Sequence, residues 1–288
     1  MLKLIGMSSN GSKAGLTRIQ TLLSPAIQLD IVPVVAKLDD VDGYDGMIIH
    51  NWSGDPSGGR LHRLVYLASN ASEGIARNKS ARKSLKWATV WTNCDTAKNV
   101  LKDVFVTATT MYRPNGIKIF AHCPPVPKTR KVLWHWLKGG PSMKLRVEQE
   151  IAKAMMKVVE RGFEIMVINS SNAKDLPVGV GAGITAAGKI DLSLTPDWLG
   201  MVRTYDQVDL GRSAFQVVAH GRWMLYWKTR EPFVEAVDHI REVPAAVEAL
   251  ANEPDGHALK RWAYARDHFR EKALKRLWQT EVGKVFNK

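Results

Sequence analysis

Short apolar runs alternate with stretches of helical periodicity along most of the chain. The runs at 2–7 (LKLIGM), 29–36 and 87–92 have the length of strands. The segment 143–162 instead has apolar residues at helical spacing and ends in a glycine. This alternation is typical of parallel sheets whose strands are joined by helices, so the pattern predicts an α/β fold. It also predicts a helix over 58–71.

The alternation is interrupted at 121–131 (AHCPPVPKTRK), where three prolines and no acidic residue predict an extended linker. We therefore predict a first Rossmann-like domain over 1–122, a linker over 123–130 and a second such domain over 131–258. A basic helical segment follows over 259–288. Two α/β halves of this kind bind ligands at the cleft between them.

The 288 residues contain 41 lysines and arginines against 28 acids, which gives a net charge of +13. A field of this size attracts polyanions such as nucleic acid, anionic lipid or nucleotide phosphates. The run 77–86 (RNKSARKSLK) has five cations and no acid. It provides the candidate nucleic-acid-binding residues Arg77, Lys79, Arg82, Lys83 and Lys86. The alternative is an ordinary solvated face.

The two cysteines, Cys94 and Cys123, are too far apart in sequence to suggest a zinc site, and their scarcity indicates a reducing compartment. The apolar start is too short for a secretion signal, and no apolar run approaches the length of a membrane span. We expect a monomer in the cytoplasm, which is the host cytoplasm if a phage encodes it.

Four stretches, in this order along the chain, resemble the GT-B glycosyltransferases, most closely the large retaining family 4. They are 45–52 (DGMIIHNW), 112–120 (YRPNGIKIF), 131–140 (KVLWHWLKGG) and 208–227 (VDLGRSAFQVVAHGRWMLYW). The resemblance implies two Rossmann-like domains facing across a cleft, with a C-terminal helix that crosses back to the first domain. It also implies transfer of a sugar from a nucleotide-diphosphate sugar such as UDP-glucose, without a permanently bound cofactor or a required metal.

The chain departs from this family at two positions. Family 4 enzymes carry two glutamates, eight residues apart, around the fourth stretch. The corresponding positions here are Val208 and Gln216, and Asp209 is one step from the first. The departure leaves open which residue makes the acidic contacts to the donor, and whether the anomeric configuration is retained or inverted.

The donor-binding candidates lie in the second half of the chain. Gly211, Arg212 and Ser213 open a predicted helix, where free N–H groups, a fork-shaped cation and a capping hydroxyl can hold phosphates. Lys138 beside Gly139 can reach a diphosphate, and Thr195 completes the set. The alternatives are an ordinary capped turn for the first group and a surface lysine for the second.

The candidates in the first half follow predicted strands. His50 and Asn51 end a strand and are the catalytic candidates, although a histidine at a strand end is also common as a structural residue. Ser9, Asn10 and Gly11 form a loop that we expect to line the cleft. Asp40-Val41-Asp42 has the spacing of a metal-binding DxD, but its place in a loop between strands of an α/β half argues against a metal.

The acceptor stays open between two classes. The charge and the basic run favour a modified DNA base flipped out of the duplex, as in phage enzymes that glycosylate DNA. The same cations also suit an anionic membrane that carries a lipid or cell-surface glycan acceptor. The absent glutamate pair suggests a third alternative, a non-catalytic GT-B-like module that binds nucleic acid. A nicotinamide-dependent enzyme is disfavoured because no GxGxxG follows the first strand.

Overall fold

The computed structural model describes residues 1–8, 13–32, 41–51, 57, 59–114, 116–136, 145–168, 183–188, 190–204 and 210–287. Its internal contacts divide the chain into two units. Unit 1 consists of Met1–Asn115 and Phe269–Lys288, and unit 2 consists of Gly116–His268. The division falls inside the stretch YRPNGIKIF, so Tyr112 belongs to unit 1 and Lys118 to unit 2.

Unit 1 is built on a parallel six-stranded sheet with the strand order β2-β1-β3-β4-β5-β6. The strands are β1 (Lys3–Ser8), β2 (Gln28–Ile31), β3 (Gly46–His50), β4 (Arg63–Leu67), β5 (Thr89–Thr92) and β6 (Thr109–Thr110). The helices are α1 (Lys13–Leu23), α2 (Ser69–Arg77), α3 (Lys79–Ser84), α4 (Asp95–Lys102) and, from the end of the chain, α9 (Glu271–Phe286). All five residues of β3 and of β4 are buried, as expected for strands covered on both faces.

The predicted helix over 58–71 is wrong. Residues 63–67 (RLVYL) form the central strand β4, and the following helix α2 begins only at Ser69. Leucines three residues apart imitate helical spacing, but a short continuous apolar run is also what a fully buried parallel strand looks like. The sheet order decides in favour of the strand, because β4 pairs with β3 on one side and with β5 on the other.

The C-terminal helix packs in unit 1, as the fold class predicts. Trp278 of α9 is fully buried, contacts the rings of Tyr66 and Trp91, and donates from Nε1 to the carbonyl of Tyr112 at 3.1 Å. At the start of α9, Glu271 forms an ion pair with Arg18 of α1 at 2.7 Å. Burial of the aromatic face of α9 thus completes the core of the first sheet.

Unit 2 has a second parallel six-stranded sheet, with the order β12-β11-β10-β7-β8-β9. The strands are β7 (Lys131–His135), β8 (Glu164–Ile168), β9 (Ile184–Gly188), β10 (Gly200–Arg203), β11 (Trp223–Trp227) and β12 (Glu235–Val237). The helices are α5 (Leu145–Glu160), α6 (Gly211–Ala219), α7 (Val243–Ala251) and α8 (Asp255–Phe269). The predicted pair of Rossmann-like α/β sheets is therefore confirmed. Within the described residues, none of the helices combines the length and apolarity that a membrane crossing requires.

All the strand pairs of each sheet are parallel, so each sheet has a carboxyl edge, where the strands end, and an amino edge, where they begin. Functional groups of α/β proteins gather at the carboxyl edge. In unit 1 this edge carries Ser8 and His50, and in unit 2 it carries His135, Arg203 and the start of α6.

Candidate functional site

At the carboxyl edge of unit 1, a buried histidine is held between a serine and an arginine. His50, only 1% exposed, lies opposite Ser8 in the sheet register, and its Nδ1 is 3.3 Å from Ser8 Oγ. Its Nε2 is 3.3 Å from Nη1 of Arg113, and its ring stacks on Tyr66 with 14° between the planes. Arg113 also lies over the Tyr66 ring at 5.0 Å and donates to the carbonyl of Gly15.

These contacts fix the protonation of His50. Because an arginine only donates, Nε2 accepts from Arg113, and the ring proton lies on Nδ1 and is donated to Ser8. Burial, together with the neighbouring Arg113 cation, lowers the pKa of His50 to about 3. His50 is thus neutral at physiological pH with both nitrogens engaged, and in this arrangement it positions Arg113 and Ser8. A catalytic role for it stays a prediction.

Asn51, at the same edge, forms hydrogen bonds with the backbone. It adopts a left-handed conformation with a φ of 60°. Its Oδ1 accepts from the backbone N of Ala68 at 2.7 Å, and its own N–H donates to the carbonyl of Tyr66 at 2.9 Å. Asparagine tolerates this conformation better than most residues, so the side chain shapes the turn where β3 ends. Its predicted catalytic role likewise remains a prediction.

The corresponding edge of unit 2 carries a buried arginine that sequence reasoning did not select. Arg203, 4% exposed, ends β10, and its Nη1 donates to the hydroxyl of Tyr226 at 2.9 Å. That hydroxyl donates to the carbonyl of Leu210, just before α6, at 2.8 Å. His135 lies opposite Arg203 in the sheet register. Burial and the Arg203 cation lower the pKa of His135 to about 4, so His135 is neutral at physiological pH. The positive charge of this pair therefore belongs to Arg203 alone.

The start of α6 lies directly beside this arginine. Gly211 opens the helix with a φ of +57°, and a Cβ on it would be 3.9 Å from Nη1 of Arg203. Arg212 is exposed, and its Nη2 donates to the carbonyl of Gly116 at 2.7 Å. Free N–H groups and the positive end of the helix dipole add to these cations. The structure thus places Arg203 beside Gly211, the first residue of the predicted group Gly211, Arg212 and Ser213.

A cavity of about 210 Å³ opens beside α6. It is lined by Ile190, Asp191, Leu192, Ser193, Arg212, Ser213 and Gln216. Hydrogen bonds from Ser193 hold the pKa of Asp191 below its usual range, with help from the nearby Lys118 and Arg212 cations. The cavity therefore contains an ionised carboxylate and a hydroxyl, which can hydrogen-bond sugar hydroxyls, and a cation, which can contact a phosphate.

Gln216 has a clear structural task at the position where family 4 has a glutamate. It is 2% exposed. Its Oε1 accepts from the backbone N of Lys118 at 2.9 Å, and its Nε2 donates to the carbonyl of the same residue at 2.7 Å. A glutamate would lack the second donor. The amide thus ties the segment after residue 115 to the side of α6.

Thr195 is the other predicted donor residue that the structure describes. It is exposed and lies two residues after Ser193, which lines the cavity beside α6. Its donor-binding role stays a prediction. Several candidates lie outside the described residues: Ser9, Asn10, Gly11, Asp40, Lys138, Gly139, Val208 and Asp209. In the described portion, no three His, Cys, Asp or Glu side chains gather as metal ligands.

The basic run of unit 1 lies at the opposite edge from His50. Helix α2 leaves the carboxyl edge and ends at Arg77, and α3 carries Lys79 and Lys83 toward the amino end of β5. Arg77, Lys79, Lys83 and Lys86 are exposed. Arg82 is half-buried and donates to the carbonyl of Ala76, so it supports the α2–α3 corner. The structure does not join the predicted nucleic-acid-binding residues to the catalytic candidates.

A larger cavity of about 620 Å³ lies beside α5 in unit 2 and shares no lining residue with the α6 cavity. It is lined by Glu150, Lys153, Ala154, Lys157, Trp227, Lys228, Asp238, His239, Ile240 and Arg241. Its volume suits a nucleotide-sized ligand. Its lysines are exposed, however, and acidic side chains lie among them. None of its lining residues is a buried arginine like Arg203. The α6 region is therefore the better candidate for a phosphate site.

The sequence does contain a signal for the missed residues. Arg203 ends the short run GMVR, and an arginine that closes an apolar strand points to the carboxyl edge, where charge is useful. Arg113 follows β6 in the same way. Neither contact partner, Tyr226 for Arg203 or His50 for Arg113, is close in sequence, so only the sheet order reveals the two groupings.

Several solved structures similar to this one are glycosyltransferases. The glycotransferase of kitacinnamycin is 10% identical and matches 99% of this chain and 98% of its own, with a TM-score of 0.52. S. aureus TarM, solved with UDP and alpha-GlcNAc-glycerol, is 13% identical over 85% of this chain and 56% of its own, with a TM-score of 0.53. The chain has the fold of the GT-B glycosyltransferases.

The likeness is one of fold. The chain spans a little over half the length of TarM. T4 phage BGT, solved with UDP-glucose, is 14% identical, and the match covers 100% of both chains. The TM-score of the latter match is 0.47, which is too low to indicate a shared acceptor. No protein-family model matches the sequence, and no curated protein matches it.

Proposed function

We propose that the protein transfers a sugar from a nucleotide-diphosphate sugar, with UDP-glucose as the first donor to test, to a hydroxyl group. The observation that carries the proposal is the buried Arg203 guanidinium beside the first residue of α6, at the carboxyl edge of a GT-B sheet. Glycosyl transfer releases a nucleoside diphosphate, so fixed positive groups at this place would stabilise the leaving group as its charge develops.

Arg203 and Arg212, together with the N-terminus of α6, would neutralise the diphosphate. These three sources of positive potential are fixed by the fold, because Arg203 is held by Tyr226 and Arg212 by Gly116. We therefore propose that transfer does not require a divalent metal. Activity that persists in EDTA supports this proposal, and activity restored only by Mg²⁺ or Mn²⁺ contradicts it.

Asp191 supplies the carboxylate that the sequence lacks at Val208 and Gln216. It faces the same cavity as Ser213 and is ionised at neutral pH. A carboxylate accepts hydrogen bonds from sugar hydroxyls. We expect Asp191→Asn to weaken binding of UDP-glucose and to leave binding of UDP nearly unchanged if Asp191 contacts the hexose. A variant that loses both ligands equally places Asp191 at the ribose.

For the acceptor we propose two candidates. A modified DNA base is supported by the net charge of +13. A lipid-linked hydroxyl at an anionic membrane is supported by the amino-edge surface described below. A labelled donor offered with plain duplex DNA, hydroxymethylated DNA and lipid extract separates them. Label that enters only lipid contradicts the DNA acceptor, and label that enters only hydroxymethylated DNA contradicts the lipid acceptor.

Thermal melting with a panel of nucleotide sugars tests the central step. A ligand at a hundred times its Kd stabilises the native state by about 2.7 kcal/mol. UDP-glucose, UDP-GlcNAc, GDP-mannose and ADP-glucose are compared with the matching nucleosides at equal concentration. We expect one donor to raise the melting temperature well above its nucleoside. If no donor raises it, the protein is not an active transferase, and the non-catalytic alternative is favoured.

A further inference from the structure

Two large aromatic side chains project into solvent at the amino edge of unit 1. Trp87 is 79% exposed and Phe105 is 98% exposed. Exposed cations surround them in the same part of the sequence. We call this group the amino-edge surface, and it consists of Arg77, Lys79, Lys83, Lys86, Trp87, Lys102 and Phe105. Over 77–87 and 102–105 the sequence has six cations and one acid, Asp103.

The sheet topology places both aromatic residues at the amino edge. Trp87 comes two residues before β5, and α4 then returns the chain to the amino edge, where Phe105 precedes β6. β5 and β6 are neighbours in the sheet, with Trp91 paired to Thr109. Trp87 and Phe105 therefore both lie before the amino ends of two adjacent strands.

The backbone at Phe105 presents its ring outward at a cost. Val106 is buried in the core cluster with Val90 and Leu101, and Val104 packs against the same cluster. Between these anchors Phe105 adopts a φ of 59°, which is unfavourable for any residue with a Cβ. Glycine or asparagine would suit the position better. Packing among the described residues does not explain an almost fully exposed phenylalanine here.

We infer that the amino-edge surface docks on an anionic lipid bilayer. Trp87 and Phe105 would enter the headgroup layer, and the surrounding lysines and Arg77 would contact lipid phosphates. A single-stranded nucleic acid is the competing ligand, because it also favours aromatics among cations. Proteins that bind single strands do so in a positively charged groove that follows the backbone. A ring that is 98% exposed projects from the surface instead of lining a groove, which suits insertion into the headgroup layer.

This surface is separate from the candidate catalytic groups of unit 1. His50 lies at the carboxyl edge, and a strand of five residues spans about 17 Å. The surface would hold the enzyme on a membrane without binding the acceptor hydroxyl itself. The inference does not depend on the donor chemistry, so membrane docking and sugar transfer can succeed or fail separately.

Vesicle sedimentation tests the inference with the full chain. The probes are vesicles of phosphatidylcholine alone and vesicles with 30% phosphatidylglycerol, with an unstructured oligothymidine and a DNA duplex as competing ligands. The informative variant is Phe105→Gly, because it removes the ring and also relieves the left-handed φ. Its melting temperature should therefore equal or exceed that of the wild type. Leu194→Ser, which removes another exposed apolar side chain from unit 2, is the matched control.

We expect strong binding to anionic vesicles and weak binding to neutral ones. Phe105→Gly should lower the anionic-vesicle partition coefficient by about tenfold or more. Each exposed lysine changed to glutamine should lower it by about fivefold. Leu194→Ser should have no effect. Absence of vesicle binding, or equal binding by Phe105→Gly, overturns the inference. Oligothymidine binding that is tighter than vesicle binding and is lost in Phe105→Gly assigns the surface to nucleic acid instead.

Discussion

Replacing Gln216 by glutamate tests whether this position binds the donor or holds the backbone at Lys118. The family resemblance suggests that an acidic residue here would strengthen donor binding. The structure instead gives the amide two backbone hydrogen bonds with Lys118. Gln216→Glu would lose one donor, worth about 1 kcal/mol, and would set a carboxylate oxygen against the Lys118 carbonyl at a further cost of about 1–3 kcal/mol. We expect a total loss of about 2–4 kcal/mol at pH 8.

The loss should depend on pH. A protonated glutamic acid can donate to the Lys118 carbonyl as the amide does, so the folded state should raise the pKa of this side chain. The hydrogen bond is then fully present below the unfolded pKa of about 4.3, and its stabilisation is lost as pH rises through the higher folded value. Gln216→Met, which removes both hydrogen bonds, should cost about 2 kcal/mol at every pH.

Thermal melting of the two variants and the wild type between pH 4 and pH 8 measures this difference. At roughly 2–4 °C per kcal/mol, Gln216→Glu should melt about 5–15 °C lower at pH 8 and close to the wild type near pH 4. A Gln216→Glu protein that is as stable as the wild type at pH 8 refutes the structural role. Tighter binding of UDP-glucose by this variant would support the family role instead.

Three further predictions concern unit 1. Gly15→Ala should destabilise the protein by about 1–3 kcal/mol in urea unfolding, because the added Cβ would be 2.7 Å from Nε2 of His50. The control is Gly74→Ala, whose Cβ would have no atom within 4 Å, and this variant should be as stable as the wild type or more stable. Trp278→Ala should cost about 3–5 kcal/mol in the same assay, and Leu277→Ala, at a 41% exposed neighbour, should cost far less. His50, with its pKa lowered to about 3, should show no NMR titration between pH 8 and pH 5. Since the neutral imidazole is favoured in the folded state, stability should fall as pH drops from about 6.5 toward 3, and His50→Gln should reduce that slope.

The alternation of apolar runs was sufficient to predict two parallel α/β sheets, because buried parallel strands leave a strong signal in the sequence. It was insufficient for 58–71, where the strand RLVYL and the helix after it merge into one apolar stretch. The returning helix α9 was expected from the family resemblance. Its anchor, Trp278 on the Tyr112 carbonyl, joins positions that are 166 residues apart.

The candidate site was only partly predictable for the same reason. Gly211 and Arg212 could be recognised because a glycine and a cation at a helix start are local features. Arg203 carries only the weaker signal of an arginine that closes an apolar strand, because its two neighbours, Tyr226 and the start of α6, meet it only in the folded sheet. Gln216 was seen as a missing glutamate, whereas its partner Lys118 shows why an amide is needed there.

The most direct test of the account is a calorimetric titration of UDP-glucose into four proteins. These are the wild type, Arg203→Met, the double variant Arg212→Ala with Ser213→Ala, and the double variant Lys153→Ala with Lys157→Ala at the α5 cavity. Loss of charge-assisted hydrogen bonds to phosphate should weaken binding by about 10–150-fold in the first two variants, with melting curves confirming that both are folded. The α5 variant should bind like the wild type. Binding that is unchanged in both phosphate-site variants, or lost only in the α5 variant, would contradict the account.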